Sequence, residues 1–289
     1  MFHTSCGAFE EPLENLEVFL DSRWTVRLFL PLFPNEQSSR DQVASCRVKI
    51  FELDVVNRLL GKHVQVHCMV HKITDIPFSL PTGALGRFQS GPILANHFAL
   101  SRQTYDAIEE DSLLFFQQDV AFCAKSLEVR SLSSFMHHPW LGSPWLVHKS
   151  TYLRSGTRLN LLYGNGGLSI RSKKFALGCL SQKDYHSEIE LSRLGKGIPE
   201  DVFFSRCLYE THPGSVNIDE AIAFASEEKY VPGFPVLALH DPCRVADGPS
   251  SVGCNSANHK ERTRHLVEYC PEVKRVIKRC VAHCDFGMA

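Results

Sequence analysis

The 289-residue chain has no apolar run near the ~20 residues that would cross a bilayer, and its longest apolar patch, Leu28–Phe33, is broken by Pro31. Its first eleven residues carry acids and lack the apolar stretch that opens a secretory signal. Together these lead us to expect a cytoplasmic protein with no membrane span. Charge of one sign is also missing. The net charge of −1 gives no general pull toward nucleic acid or an anionic membrane. There is no internal repeat and no low-complexity segment, which excludes solenoid and linker-like architectures. A Walker-A loop, a full G-x-G-x-x-G, a G-x-S-x-G and an H-E-x-x-H are all absent, so phosphate-loop, serine-hydrolase and zincin chemistry have no sequence support. No C-x-x-C pair occurs among the 11 scattered cysteines. With no signal segment, this odd count points to reduced thiols rather than a disulfide framework. The one cluster is Cys270, Cys280, His283 and Cys284, to be weighed as a zinc site against ordinary free thiols.

What is present suits a folded domain: 44% hydrophobic and 22% charged residues. Apolar spacing predicts a helix over Leu13–Leu20 and a strand over Trp24–Leu30. Further strands are predicted over Arg47–Leu53 and His63–Val70. Lys72–Gln89, rich in Pro, Gly and Ser, reads as a loop. Ala95–Glu110 reads as a helix leading to the apolar strand Ser112–Phe116. Leu127–Met136 reads as another helix, Trp140–Trp145 as an aromatic turn and Leu146–Leu161 as a polar loop. Helices are predicted over Lys173–Leu180 and from Pro199 onward, where Pro and acids suit a first turn. Ala221–Glu228 and Pro235–His240 complete the core. Asp247–Asn258 reads as a linker to a C-terminal helix, His259–His283. The alternation of strands and helices argues an α/β layered domain.

Four segments carry candidate chemistry, each with a plain structural alternative. Asp119 follows an apolar strand, where a carboxylate can hold a divalent cation; it can equally cap the next turn. Gly164, Gly166 and Gly167 surround Asn165 and allow close approach to backbone amides that bind phosphate or sugar oxygens; the alternative is a tight hairpin turn. Glu200 and Asp201 precede an apolar helix, where one carboxylate can take a proton from an acceptor or both can simply complement the helix dipole. His240 ends an apolar strand as a metal ligand or a core histidine.

In this order the segments resemble an uncharacterised family of glycosyltransferase-A-like proteins, common in fungi. The residues that carry the resemblance are Phe116–Cys123, Leu141–Trp145, Gly164–Arg171, Glu200–Ser205 and His240. It spans Ala95 to Arg244 and is more distantly similar to β-1,3-galactosyltransferase-like enzymes. The resemblance implies a central mixed sheet flanked by helices in three Rossmann-like layers, within a domain spanning residues 1–246. Residues 247–289 are then a linker and helical extension. It also implies sugar transfer from a nucleotide-diphosphate donor to a hydroxyl acceptor, or a non-catalytic relative that binds a sugar nucleotide or a protein. By the same resemblance Asp119 and His240 are metal ligands for Mn or Mg, and Asp201 is the catalytic base. Asn165, Gly166, Gly167, Trp145 and Glu200 bind substrate. Two departures stand out. Gln117 replaces the first acid of the metal motif, and the chain reaches its first helix without the apolar strand that opens family members.

Overall fold

The computed structural model describes residues 10–32, 37–72, 96–117, 119–152, 158–182, 185–193, 198–215, 217–226, 236–240, 264–274 and 276. Helix α1 (Glu10–Leu16) leads into strand β1 (Thr25–Leu32). Helices α2 (Gln37–Glu52) and α3 (Asp54–Gly61) then cross to β2 (Gln65–Lys72). β1 and β2 pair in parallel from Thr25↔Gln65 to Leu32↔Lys72, the pairing that needs a helical crossover.

The strand expected over Arg47–Leu53 is instead the end of α2 and the turn after it. Cys46 and Ile50 are buried while Val48 and Phe51 are exposed, a helical phase that a short apolar run disguised as alternation.

The second half begins with a helical turn at 96–99 and α4 (Arg102–Asp106), two pieces where one helix was expected. Strand β3 (Ser112–Phe116) lies where the sequence put it. β4 (Val120–Phe122) follows, and then two short 3-10 segments replace the helix expected over Leu127–Met136. There Ser126 Oγ donates to the Cys123 carbonyl and Ser134 Oγ to that of Ser131, local bonds that compete with a continuous helix. β5 (Trp140–Tyr152) and β6 (Arg158–Ser172) form a long hairpin. This overturns both the aromatic turn and the polar loop. Register shifts between Gly142 and Lys149 let Pro144 sit in the strand.

Helices α5 (Lys173–Leu180), α6 (His186–Arg193), α7 (Glu200–Thr211) and α8 (Ile218–Phe224) follow, then β7 (Ala225–Ser226) and β8 (Ala238–His240). α5 and α7 match expectation. Ser172 caps α5 by accepting the Phe175 N–H.

The strands form three small sheets, β1-β2, β3-β6-β5 and β4-β8-β7. This is a mixed α/β fold; among the described residues one central mixed sheet does not form. Most buried apolar side chains form one core, with Trp140, Tyr105, Phe203 and Phe204 at its centre.

The C-terminal segment docks Leu266, Cys270, Val273 and Val276 on Ala121, Val236 and Leu239. Cys270 is bonded to Cys123 and Cys179 to Cys207, and Cys46 is also disulfide-bonded. The reduced-thiol expectation is thereby corrected for these cysteines. As a disulfide, Cys270 offers a metal no thiolate, while Cys280, His283 and Cys284 lie outside the described residues. So do residues 73–89 of the expected loop and the linker Asp247–Asn258. Among the described residues no helix is long and apolar enough to cross a membrane.

Candidate functional site

The glycine motif lies inside β6, where the sequence suggested a turn. Gly164 has φ 131°, and a Cβ there would meet Ser205 Oγ at 1.9 Å and Trp140 Nε1 at 2.7 Å. A Cβ on Gly166 would lie 2.0 Å from Glu200 Oε1 and 3.1 Å from the Asp201 Cβ. These two glycines are therefore dictated by α7, which lies directly on the strand. All four residues from Gly164 to Gly167 are buried. The Gly167 amide donates to Asn165 Oδ1 at 2.8 Å. Within the strand, that amide is already committed and cannot be the exposed phosphate donor that a glycine turn suggested.

Glu200 and Asp201 open α7 behind Pro199, which supplies no side-chain cap. Asn96 does so instead: its Oδ1 accepts the Glu200 N–H at 3.0 Å. Residues adjacent on a helix point about 100° apart, a spacing that by itself sets only one acid against the glycines. Both border Gly166, one through its carboxylate and the other through its Cβ. Asp201 Oδ1 accepts the Val202 N–H at 2.7 Å, and the residue is buried.

The partner of Glu200 is Arg171, a residue to which the sequence reading gave no role. Arg171 is 1% exposed. Its Nη2 donates to Glu200 Oε1 at 3.2 Å and to the Gly166 carbonyl at 3.3 Å. Nε donates to Ser169 Oγ at 3.0 Å and Nη1 to the Tyr105 hydroxyl at 3.2 Å. Its guanidinium lies over Phe115 at 4.0 Å and over Trp140 at 4.7 Å, contacts that favour a desolvated cation. Burial raises the Glu200 pKa above its ordinary 4.5, and the neighbouring Asp201 charge adds to this; Arg171 opposes both. Tyr105 is raised by burial, again with Arg171 opposing, and donates its proton to the Ala99 carbonyl.

Asp119 enters from β3. The ladder runs to Phe116↔Leu168, and the Gln117 N–H then donates to the Gly167 carbonyl at 2.8 Å. Asp119 stands two residues beyond that bond and one before Val120, which pairs with His240. The side chain of His240 lies outside the described residues; its backbone does not. Trp145 is 5% exposed and packs with Leu161 and Val202 beneath the first turn of α7. Thus the β3 end, the β6 glycines and the start of α7 converge, and the β4–β8 rung adjoins them. Arg171 had one sequence signal: a cation in an apolar strand needs a buried carboxylate, and Glu200 was at hand.

Among the described residues no group of three or more His, Cys, Asp and Glu side chains could hold a metal.

No curated protein matches the chain. Among solved structures, mouse xyloside xylosyltransferase 1 in its apo form aligns with 85% of this chain and 97% of its own, at 10% identity and a TM-score of 0.41. Residues 88–242, more than half of the sequence, match the DUF5672 family, and the chain belongs to this family, described as a protein of unknown function.

Proposed function

We propose that the protein transfers a sugar from a nucleotide-diphosphate donor to a hydroxyl acceptor. The observation that carries this reading is the pair of carboxylates, Glu200 and Asp201, held at a helix start against Gly166. Asp201 is the base that takes the acceptor proton. Glu200, bound to Arg171, positions the helix start rather than reacting. Gly164 and Gly166 leave the strand bare enough for α7 to bring both acids in, and Gly167 gives its amide to Asn165. Asn165 fixes that strand, and Trp145 supports the first turn from below. Asp119, which precedes Val120, and His240, whose backbone pairs with Val120, would hold a divalent cation whose charge offsets that of a diphosphate.

The second reading, a non-catalytic binder of sugar nucleotide or protein, is favoured by Gln117 at the first metal position. Steric need alone also accounts for Gly164 and Gly166.

The test pairs donor binding with turnover. Titration of uridine diphosphate should give tighter binding with manganese than with chelator, and Asp119→Ala should remove the difference. Asp201→Asn should keep donor binding and lose about 10²–10⁴ in transfer. Asp201→Asn with near-normal turnover sinks the assignment of the base. Binding without turnover by the unaltered protein, over a panel of donors and acceptors, selects the second reading.

A further inference from the structure

The small β4-β8-β7 sheet is covered on both faces. Val120 and Phe122 of β4 and Ala238 of β8 enter the main core. Ala121, Cys123 and Leu239 enter a second cluster with Leu266, Cys270 and Val273 of the C-terminal segment. Successive residues of a strand point to opposite faces, so this segment lies across the outer face as a strap. Leu266, Cys270 and Val273 recur at helical spacing and share one side of it. Polar bonds next to Cys270 fix its place. The Tyr269 hydroxyl accepts the Val236 N–H at 2.8 Å and donates to the Val236 carbonyl at 2.9 Å. Lys125 Nζ donates to the Glu268 carbonyl at 2.6 Å. Cys123, to which Cys270 is bonded, is held by its own N–H, which donates to the Leu237 carbonyl at 2.9 Å.

Cys123 and Cys270 are each 0% exposed, and the bonded pair Cys179 and Cys207 is as closed, at 1% and 0%. Thiol–disulfide exchange needs access of an attacking thiolate to a sulfur. Bonds so enclosed are made once, while the chain folds, and are not cycled in the folded protein. That excludes the transient, catalytic or sensing disulfides found where thiols are kept reduced. Among the described cysteines five are bonded and Cys68 alone is free, the balance of a chain oxidised as it folds.

We infer that the C-terminal segment is a strap fastened by oxidation, and that the chain matures by dithiol–disulfide exchange in an oxidising compartment. This replaces the cytoplasmic expectation, which rested on the N-terminal residues. The co-reactant is a protein or small-molecule disulfide. One cysteine thiolate attacks one of its sulfurs and displaces the other as a thiolate. The second cysteine thiolate then attacks the first cysteine's Sγ in the mixed disulfide, closing the strap and expelling the remaining thiolate. Two cysteine thiols lose two electrons and two protons, and the disulfide gains both as two thiols. The bond spans 147 residues, and closing so long a loop removes much freedom from the unfolded chain. Its loss loosens the strap first, and with it the rung where Val120 pairs with His240. No residue of the strap is placed in the proposed sugar chemistry, so the two readings are tested apart.

Two experiments address the two halves. Cells that make the protein are quenched in acid, and the protein is unfolded in N-ethylmaleimide without reductant and digested. Mass spectrometry should find Cys123 joined to Cys270 and Cys179 joined to Cys207, with N-ethylmaleimide on Cys68. N-ethylmaleimide on all four bonded cysteines would overturn the inference. This map uses the unaltered chain, so it decides even where a variant fails to fold. The second experiment compares amide exchange in the parent and in the double variant Cys123→Ala, Cys270→Ala. Amides of Leu266–Val273 and of β4 should exchange at least ~10-fold faster in the variant. α7, tied through its own disulfide, should keep the parent's rate. Unchanged exchange across Leu266–Val273 would show that packing alone holds the segment, and would overturn the strap.

Discussion

The two edges of β3 face opposite situations. Along one edge the strand ladders onto β6, and α7 lies on β6 so tightly that two glycines have no room for a Cβ. Phe115 belongs to this side as well, under the buried guanidinium of Arg171. Along the other edge the same five residues border a cavity of about 340 Å³. The dense side has the character of a positioned site, where a buried charge is held by four kinds of hydrogen-bond partner and three rings. The hollow side is open space lined mainly by apolar side chains. Packing density thus differs between the two edges of a single strand.

The largest effect that would break this contrast comes from Arg171. Arg171→Met keeps the stem and removes the charge, leaving Glu200 buried beside Asp201 with its cation gone. Breaking a buried pair on one side costs about 3–5 kcal/mol. Urea unfolding should show a loss of that order, and a loss below about 1 kcal/mol would mean that the network is not what holds this side together.

Gly166→Ala comes next. The new Cβ meets the movable end of Glu200 but also the Asp201 Cβ at 3.1 Å. Overpacking of this kind costs about 1–3 kcal/mol. If the reading of the site is right, transfer falls by a larger factor than stability, because both acids are pushed off the strand. A variant as stable and as active as the parent would show that the helix start is free to shift.

How much of this was legible beforehand differs by element. Ser112–Phe116 and the first turn of α7 could be read because short apolar runs and Pro-plus-acid starts carry local physics. The end of α2 could not, since Val48 to Phe51 mimic alternation while the buried set, Cys46 and Ile50, follows the helix. The glycines of β6 misled for a different reason. Glycine marks both a turn and a close approach, and only the position of α7 shows which is at work. Asp119 and His240 were paired through the resemblance alone, and the ladder that sets Val120 beside His240 joins residues so far apart in sequence that it has no local signal. Nor has the cavity between β1 and β3, which is a relation between two strands distant in sequence.

A smaller and pH-dependent effect sharpens the account of Glu200. Its pKa is raised by burial first, then by Asp201. A carboxyl with a raised folded pKa contributes stability that is fully present below its unfolded value near 4.5 and is lost as pH rises through the folded value. Glu200→Gln removes that titration and keeps an acceptor for Arg171. The stability of the parent relative to Glu200→Gln should therefore fall as pH is taken from about 4.5 toward 8. A gap that widens in the parent's favour over that range would show Arg171 outweighing burial.

The smallest effect tests the contrast on a single rung. Leu114 and Ile170 face one another across the β3–β6 ladder. Ile170 is 0% exposed in the main core, whereas Leu114 is only partly buried and lines the cavity. The same enlargement at the two positions should therefore have opposite signs. Ile170→Phe forces extra volume into a filled interior, where overpacking costs about 1–3 kcal/mol. Leu114→Phe places its ring in open space and covers more apolar surface. Cavity filling of that sort commonly adds about 0.5–2 kcal/mol, and the low end is expected here because the cleft is not sealed. Chemical unfolding of both variants beside the parent gives the comparison directly, since the two substitutions share one rung and one new side chain. Equal losses would mean that the cleft closes in solution, and that the two edges of β3 are packed alike.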